Sequence, residues 1–248
     1  MDRLVYIAMT GAQQLLEQQA VAAHNLANAA TTGYKAESSA FRVAPLTGPG
    51  LPTRAYAIDT TIGADLAPGA MQPTGRDLDI AIQGDGFLAV QGRDGTEAYT
   101  RDGGLSINSD GELTTRSGLT VLGEGGPITI PPDSKVAIAG DGTVSVTNFG
   151  QSAANVTVLG KLKLVKPERT EVVKGQDGLF RMKSGAPAEA DPSVSVVSGT
   201  LEASNVNAVS AMVDMINLAR QFEMHMKLLQ NAESNDQRAV QLLTTTPT

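Results

Sequence analysis

Cysteine is absent from this 248-residue sequence, and so is tryptophan. Without thiols there can be no disulfide, no zinc–cysteine site and no thiol nucleophile. Aromatic residues amount to only 4%, little for the aromatic-lined pockets and hot spots that hold ligands and partners. Positive charge is in deficit too: 19 Lys and Arg stand against 26 Asp and Glu, a formal net charge of -7, with no long basic run. Such a chain repels phosphate backbones and anionic headgroups, so neither nucleic acid nor an anionic membrane is an expected partner. No apolar stretch reaches the ~18 residues of a membrane span, and the chain is expected not to be membrane-inserted. The opening Met1-Asp2-Arg3-Leu4 lacks the basic-then-apolar order of a secretory signal. If exported, the protein is expected to travel without a cleaved signal peptide.

What the chain does contain is 41% hydrophobic residues, enough for a core built of Ala, Val, Leu, Ile and Met. Their periodicity changes along the sequence. From about Asp2 to Ala30 they recur at alternating steps of three and four: Val5, Ala8, Ala12, Leu15, Gln19, Ala22, Leu26 and Ala29, seven of the eight apolar. This is a coiled-coil-like helical stripe, with Asp2 placed to cap its start and Gly33 to stop it. From about Asn205 to Leu243 a second stripe runs through Ala208, Met212, Met215, Ala219, Phe222, Met226 and Leu229, all apolar. Between the two, β-prone runs (Leu78–Ile82, Phe87–Val90, Leu119–Leu122, Ile128–Ile130, Thr143–Val146, Val156–Leu159, Lys161–Val165) alternate with Asp-Gly and Gly-Gly turns. The expected fold is therefore α+β: long N- and C-terminal helices forming a coiled-coil-like domain, with a central all-β domain. The expected division is 1–33 for the first helix, 34–77 for an extended connector rich in Pro and Gly, 78–200 for the β domain and 201–248 for the last helix.

Catalytic constellations are sparse. The two histidines, His24 and His225, lie in opposite terminal helices and show no metal-ligand spacing. Asn108-Ser109-Asp110-Gly111 opens like a calcium loop, but Ser117 stands where the closing Glu is required. Gly123-Glu124-Gly125-Gly126 runs into Pro127 and a β-prone segment, not into the helix that a phosphate-cradling loop needs. Asp77 and Asp79 have no aromatic cleft and read as strand-edge or surface residues. No cofactor, metal, small-molecule substrate or catalytic residue is expected, and the chain does not read as an enzyme.

Three ordered motifs carry a resemblance. Asn25-Leu26-Ala27-Asn28 followed by Thr31-Thr32-Gly33-Tyr34-Lys35 resembles the N-terminal motif of bacterial flagellar rod and hook proteins. Ser204-Asn205-Val206-Asn207, with Met212-Val213-Asp214-Met215 and Arg220-Gln221-Phe222-Glu223-Met224, resembles their C-terminal motif. Gly84-Asp85-Gly86-Phe87, Tyr99-Thr100-Arg101-Asp102-Gly103 and Asp110-Gly111 resemble their shared β domain. Met1-Asp2-Arg3-Leu4, Met9-Thr10-Gly11-Ala12 and Gln18-Gln19 are most similar to the proximal-rod members, with the distal-rod members close kin.

The resemblance implies an axial subunit of the flagellar basal body, in the rod that crosses the periplasm and carries torque from motor to hook. It implies export through the flagellar type III apparatus and helical polymerisation with copies of itself and other rod proteins. The terminal stripes, Val5, Ala8, Ala12, Leu15, Ala22, Leu26 and Ala29 with Ala208, Met212, Met215, Ala219, Phe222, Met226 and Leu229, then become the assembly interface. Helices whose apolar faces are buried mainly by neighbours are marginal alone. Limited proteolysis of the soluble monomer is therefore expected to remove roughly the first 35 and last 45 residues and to leave a resistant β core. Equal protection of the ends, read by mass spectrometry of the fragments, would show that they are already packed without neighbours.

Overall fold

The computed structural model describes residues 2–45, 55–148 and 156–244. Two long helices, α1 (Asp2–Ala27) and α2 (Ala208–Thr244), flank a region of strands. In chain order the strands are β1 (Glu37–Pro45), β2 (Ala55–Ala64), β3 (Met71–Pro73), β4 (Ile80–Gln83), β5 (Phe87–Gln91), β6 (Glu97–Thr100), β7 (Leu105–Ile107), β8 (Leu113–Thr115), β9 (Leu122–Gly123), β10 (Gly126–Pro127), β11 (Ser134–Ile138), β12 (Thr143–Asn148), β13 (Thr157–Lys161), β14 (Leu164–Val165), β15 (Val172–Lys174), β16 (Phe180–Met182), β17 (Ser195–Ser198) and β18 (Thr200–Glu202). The α+β class and the helix–strands–helix order are those expected.

The chain forms two compact units. Unit 1 gathers residues 1–27, 37–63 and 207–248; unit 2 gathers 28–36 and 64–206. The expected connector 34–77 thus divides between them and is more regular than expected. Its first part carries β1 and β2, which pair as a two-stranded sheet. The runs Glu37-Ser-Ser-Ala-Phe-Arg-Val and Ala55-Tyr-Ala-Ile-Asp-Thr-Thr-Ile are β-prone on their own, and the Pro/Gly cluster lies between them in sequence. That cluster masks the period when the whole stretch is read as one.

In unit 1, α1 and α2 pack along one another. They run antiparallel. Gly11 of α1 meets the His225 ring, which a Cβ at position 11 would approach to 2.9 Å. Asn25, near the end of α1, shares a groove with Ala211, near the start of α2. At about 1.5 Å per residue the helices extend about 39 and 56 Å. The start of α2 is capped by Asn207, whose Oδ1 accepts the Val209 and Ser210 amides at 3.0 and 3.1 Å. The cap proposed for α1, Asp2, has a side chain outside the described residues.

Unit 2 is held by two apolar clusters on either side of strand β5. Leu88 and Val90 join Ile80, Leu105, Leu113, Val121, Val144 and Leu162 in the larger one. Phe87 and Ala89 join Tyr99, Val165 and Phe180 in the smaller, where the Phe87 and Phe180 rings stand 5.0 Å apart. A strand buried on both faces has no polar alternation, which is why Phe-Leu-Ala-Val reads as a continuous apolar run. Burial pushes the Tyr99 hydroxyl up to about 12; it donates to Glu97 Oε1 at 2.9 Å and accepts the Ala188 amide at 2.6 Å.

The runs Leu119–Leu122 and Ile128–Ile130 depart from expectation. Val121, Ile128 and Ile130 are buried, yet outside β9 these runs make only single bridges. Pro127 and Pro131 bracket the second run and cannot donate to a ladder. Of the Asp-Gly turns, Asp110-Gly111, Asp141-Gly142 and Asp177-Gly178 close hairpins, whereas Asp85-Gly86 and Asp102-Gly103 link strands that do not pair with each other. Asn108 Oδ1 accepts the amides of Asp110 and Glu112 at 3.0 and 2.8 Å, closing β7 onto β8 where a calcium loop was considered.

Gly33 does not end α1, which stops at Ala27. It belongs to unit 2, at φ 67°, and a side chain there would collide with the Arg101 carbonyl and the Asp102 amide. The left-handed conformation costs a non-glycine residue about 1–2 kcal/mol, and the overlap adds a comparable amount. Gly33→Ala is expected to lower the stability of unit 2 by about 3 kcal/mol, read as a drop in urea midpoint at unchanged slope. A change below about 0.5 kcal/mol would show that this backbone is free to relax.

Candidate functional site

Parts of the three quoted motifs meet in unit 2 at one buried ion cluster: Lys35 and Arg101 belong to two of them, and Glu202 lies just before the third. Glu202, in β18, is 1% exposed, Lys35 1% and Arg101 3%. Glu202 Oε1 accepts from Lys35 Nζ at 2.6 Å, and Oε2 from Arg101 Nη1 at 3.1 Å. The remaining capacity of these groups goes to the backbone. Lys35 Nζ donates to the Ala67 carbonyl at 2.8 Å, Arg101 to the carbonyls of Ile82 and Gly84, and the Gly69 amide to Glu202 Oε1 at 2.8 Å. The Gly33 amide donates to the Glu202 carbonyl at 2.8 Å. Arg101 also lies over the Phe87 ring, 5.7 Å from its centroid, and its Nε has no partner.

The electrostatics are those of a structural clasp. One carboxylate faces two cations, so the cluster carries a net positive charge away from water. Burial pushes the Lys35 ammonium below the ordinary lysine value, and the hydrogen bond and charge of Glu202 oppose that shift. Burial lowers Arg101 in the same way, again against Glu202. Nothing in this arrangement offers a reacting atom to a substrate: each carboxylate oxygen is taken by a cation or an amide, and the whole is sealed in the β core.

The neighbouring motif residues brace the clasp. Thr32 Oγ1 donates to Asp102 Oδ1 at 2.8 Å. Tyr34 lies under the Lys174 ammonium, 3.8 Å from ring centroid to Nζ, and Lys174 donates to the Lys35 carbonyl. Asn205 reaches two other segments: its Oδ1 accepts the Ala36 amide at 2.7 Å, and its Nδ2 donates to the carbonyls of Asp65 and Ala67 at 2.8 and 3.1 Å. Ser204 Oγ accepts the Val206 amide at 3.2 Å, and Asn28 holds the turn after α1 by accepting from Thr31. In unit 1, Asn25 binds both the amide and the carbonyl of Glu37 at 2.8 Å, in the manner of a neighbouring strand, while His24 pairs with Glu37 at 3.0 Å.

Asp79 is buried between Arg76 and Arg116 at 3.2 and 3.0 Å. It is therefore an anchor inside unit 2, whereas Asp77 stays exposed and pairs with Lys135.

The two helical stripes fare differently. Ala12 and Leu15 are buried, and Ala22 and Leu26 partly so, with Ala29 beyond the helix in unit 2. Val5 and Ala8 have side chains outside the described residues. On α2 the shielded positions are Ala208, Ala211, Met215, Leu218, Phe222, His225, Leu229 and Ala232, at alternating steps of three and four, with Ala219 beside them. Four members of the expected stripe fall on this seam. Met212 and Met226 do not: they are 49% and 39% exposed. The helix has two adjacent apolar stripes, and the pairing selects the one that sets small Ala211 and the His225 ring against α1, where Gly11 leaves room. A groove of about 490 Å³ beside the pair is lined by the amides of Gln18, Asn25, Asn217 and Gln221 and the carboxylates of Glu37 and Asp214, with Ala22, Ala211 and Leu218.

Sequence reasoning missed Glu202 and His225 as partners. Glu202 left one signal, a lone charge in the β-prone run Ser198-Gly-Thr-Leu-Glu just before Ser204-Asn205.

Comparison with known proteins matches three stretches of the chain. Residues 5–35 match the family described as flagella basal body rod protein, 81–146 the flagellar hook protein FlgE/F/G D1 domain, and 197–242 the flagellar basal body rod FlgEFG protein C-terminal region. The chain is 49% identical to the flagellar basal-body rod protein FlgF of Escherichia coli (strain K12) over 98% of its own length and 99% of that protein's. It is equally similar to FlgF of Salmonella typhimurium, and 32% identical, over 93% of its length and 95% of the other's, to FlgG of Agrobacterium fabrum. The chain therefore belongs to the flagellar basal-body rod proteins, as a FlgF-like structural protein and not an enzyme.

Proposed function

We propose that this protein is an axial subunit of the proximal rod, polymerising through coiled-coil-like contacts of its terminal helices with copies of itself and with other rod proteins. In that position it crosses the periplasm, transmits torque from motor to hook and filament, and is required for flagellum-dependent motility. It reaches the rod through the flagellar type III export apparatus. The FlgF relatives at 49% identity, against 32% for FlgG, favour the proximal over the distal position.

The observation that carries the reading is the outer side of the helix pair. Val209, Met212, Val213 and Ile216 on α2 are 71%, 49%, 50% and 52% exposed, although α2 has already buried one apolar stripe against α1. Leu16 and Leu228 are exposed as well. Burying such surface stabilises by about 25 cal/mol per Å² before the entropy of association is subtracted. A contact between unlike faces that does not close on itself builds a tube or filament, and this supplies the assembly energy for one.

Two kinds of substitution separate pairing within a subunit from assembly between subunits. Leu15→Asp and Phe222→Asp, both in the seam, are expected to abolish rod formation and swimming while unit 2 keeps its thermal transition. Met212→Lys, on the outer side, is expected to shift monomer stability by no more than about 0.5 kcal/mol and still to abolish swimming. Normal swimming and rods of normal length with all three variants would remove the helices from the assembly interface.

A further inference from the structure

We infer that strand β18 is the latch of unit 2: it docks last, and its Glu202 carboxylate is the group that allows Lys35 and Arg101 to leave water.

The first ground is connectivity. Glu202 binds residues 33, 35, 69 and 101, so its contacts span the longest sequence separations of the cluster. Most other pairings in unit 2 are local hairpins: β5 with β6, β7 with β8, β11 with β12, β15 with β16. Closing a long loop costs more chain entropy and is repaid only when many contacts form together, so local hairpins precede it.

The second ground is charge. Until Glu202 arrives, burying Lys35 and Arg101 would place two cations in the core with only backbone carbonyls to meet them. Desolvation already dominates both residues with the carboxylate present. The segment around Gly33 and Lys35 and the guanidinium of Arg101 therefore stay hydrated until β18 pairs with β3. The same step brings the Ala203 amide to the Ala70 carbonyl and Asn205 to Ala36 and Asp65. A chain that lacks residues 200–205 can build the hairpins of unit 2 but cannot seal its core.

The test uses the full chain. Refolding and unfolding rates are measured by stopped-flow circular dichroism for the native protein and Glu202→Gln. The latch predicts unfolding accelerated by about ten-fold or more with refolding changed by less than about two-fold, because the lost interaction forms after the rate-limiting barrier. Refolding slowed in proportion to the stability lost, with unfolding unchanged, would overturn it.

If Glu202→Gln fails to fold, native-state hydrogen exchange of the unmodified protein decides. The amides of Gly33, Gly69 and Ala203 should then exchange through a shared partial opening, at least about ten-fold faster than those of Ala89 and Val121 in the core. Exchange of all five only through global unfolding would show that no separable latch exists.

Discussion

One carboxylate facing two cations out of reach of water is the constraint around which unit 2 is arranged. Glu202 sits between Lys35 and Arg101, and each of the three comes from a different stretch of chain. A buried group of this kind is a poor source of net stability, since desolvation offsets most of the attraction. It is unforgiving of misplacement, however, because a cation left without its anion is far costlier than either the pair or an apolar substitute. The neighbouring features follow from that. Gly33 takes a conformation that other residues avoid so that its amide can reach the Glu202 carbonyl, and Gly69 brings a second amide to the carboxylate. Phe87 covers the guanidinium from the smaller apolar cluster. What an isolated reading takes for a family signature, Thr32-Gly33-Tyr34-Lys35, is the set of side chains and backbone needed to hold an ammonium group in a dry place.

Unit 1 is built on a different principle. Its helices meet through a seam that mixes Ala with Leu, Met and Phe, with one close approach, Gly11 against the His225 ring. The His225 Nδ1 there is buried without a partner. Such a seam specifies alignment more than it contributes stability, and it leaves much of the helices' apolar surface in contact with water. The contrast between the sealed β unit and the helical unit 1, with apolar residues left outside, is the one that the proposed assembly would use.

Much of this could be read from residue order. Helix boundaries came within three residues at Ala27 and Ala208, because Pro is missing from the long periodic stretches, Gly11 is their lone glycine, and the period of 3.6 survives over many turns. Strand β5 was visible as an apolar run, and the turns as Asp-Gly pairs. Three things were not legible. The strands β1 and β2 were hidden by the Pro/Gly cluster between them, which makes the average composition of the segment look irregular. The α2 seam could not be distinguished from the stripe one residue away, since Ala211 and Met212, or Leu218 and Ala219, serve equally well until a partner helix chooses. The clasp was invisible because nothing local marks Glu202 as the counterion of a lysine 167 residues away. Sequence periodicity reports which face is apolar; it does not report which charges will meet once the faces are joined.

The division of the chain has a mechanical corollary. Passing from unit 1 to unit 2 and back, the backbone crosses at residues 27–28, 36–37, 63–64 and 206–207. Most multidomain proteins hang each domain on a single linker. Here the two units are sewn together by four passes of one thread, and Asn205 gathers the unit 2 side of three of those passes into one knot of hydrogen bonds. A break in any one pass leaves three others to carry the pull. Four covalent crossings give the connection a redundancy that a single linker lacks.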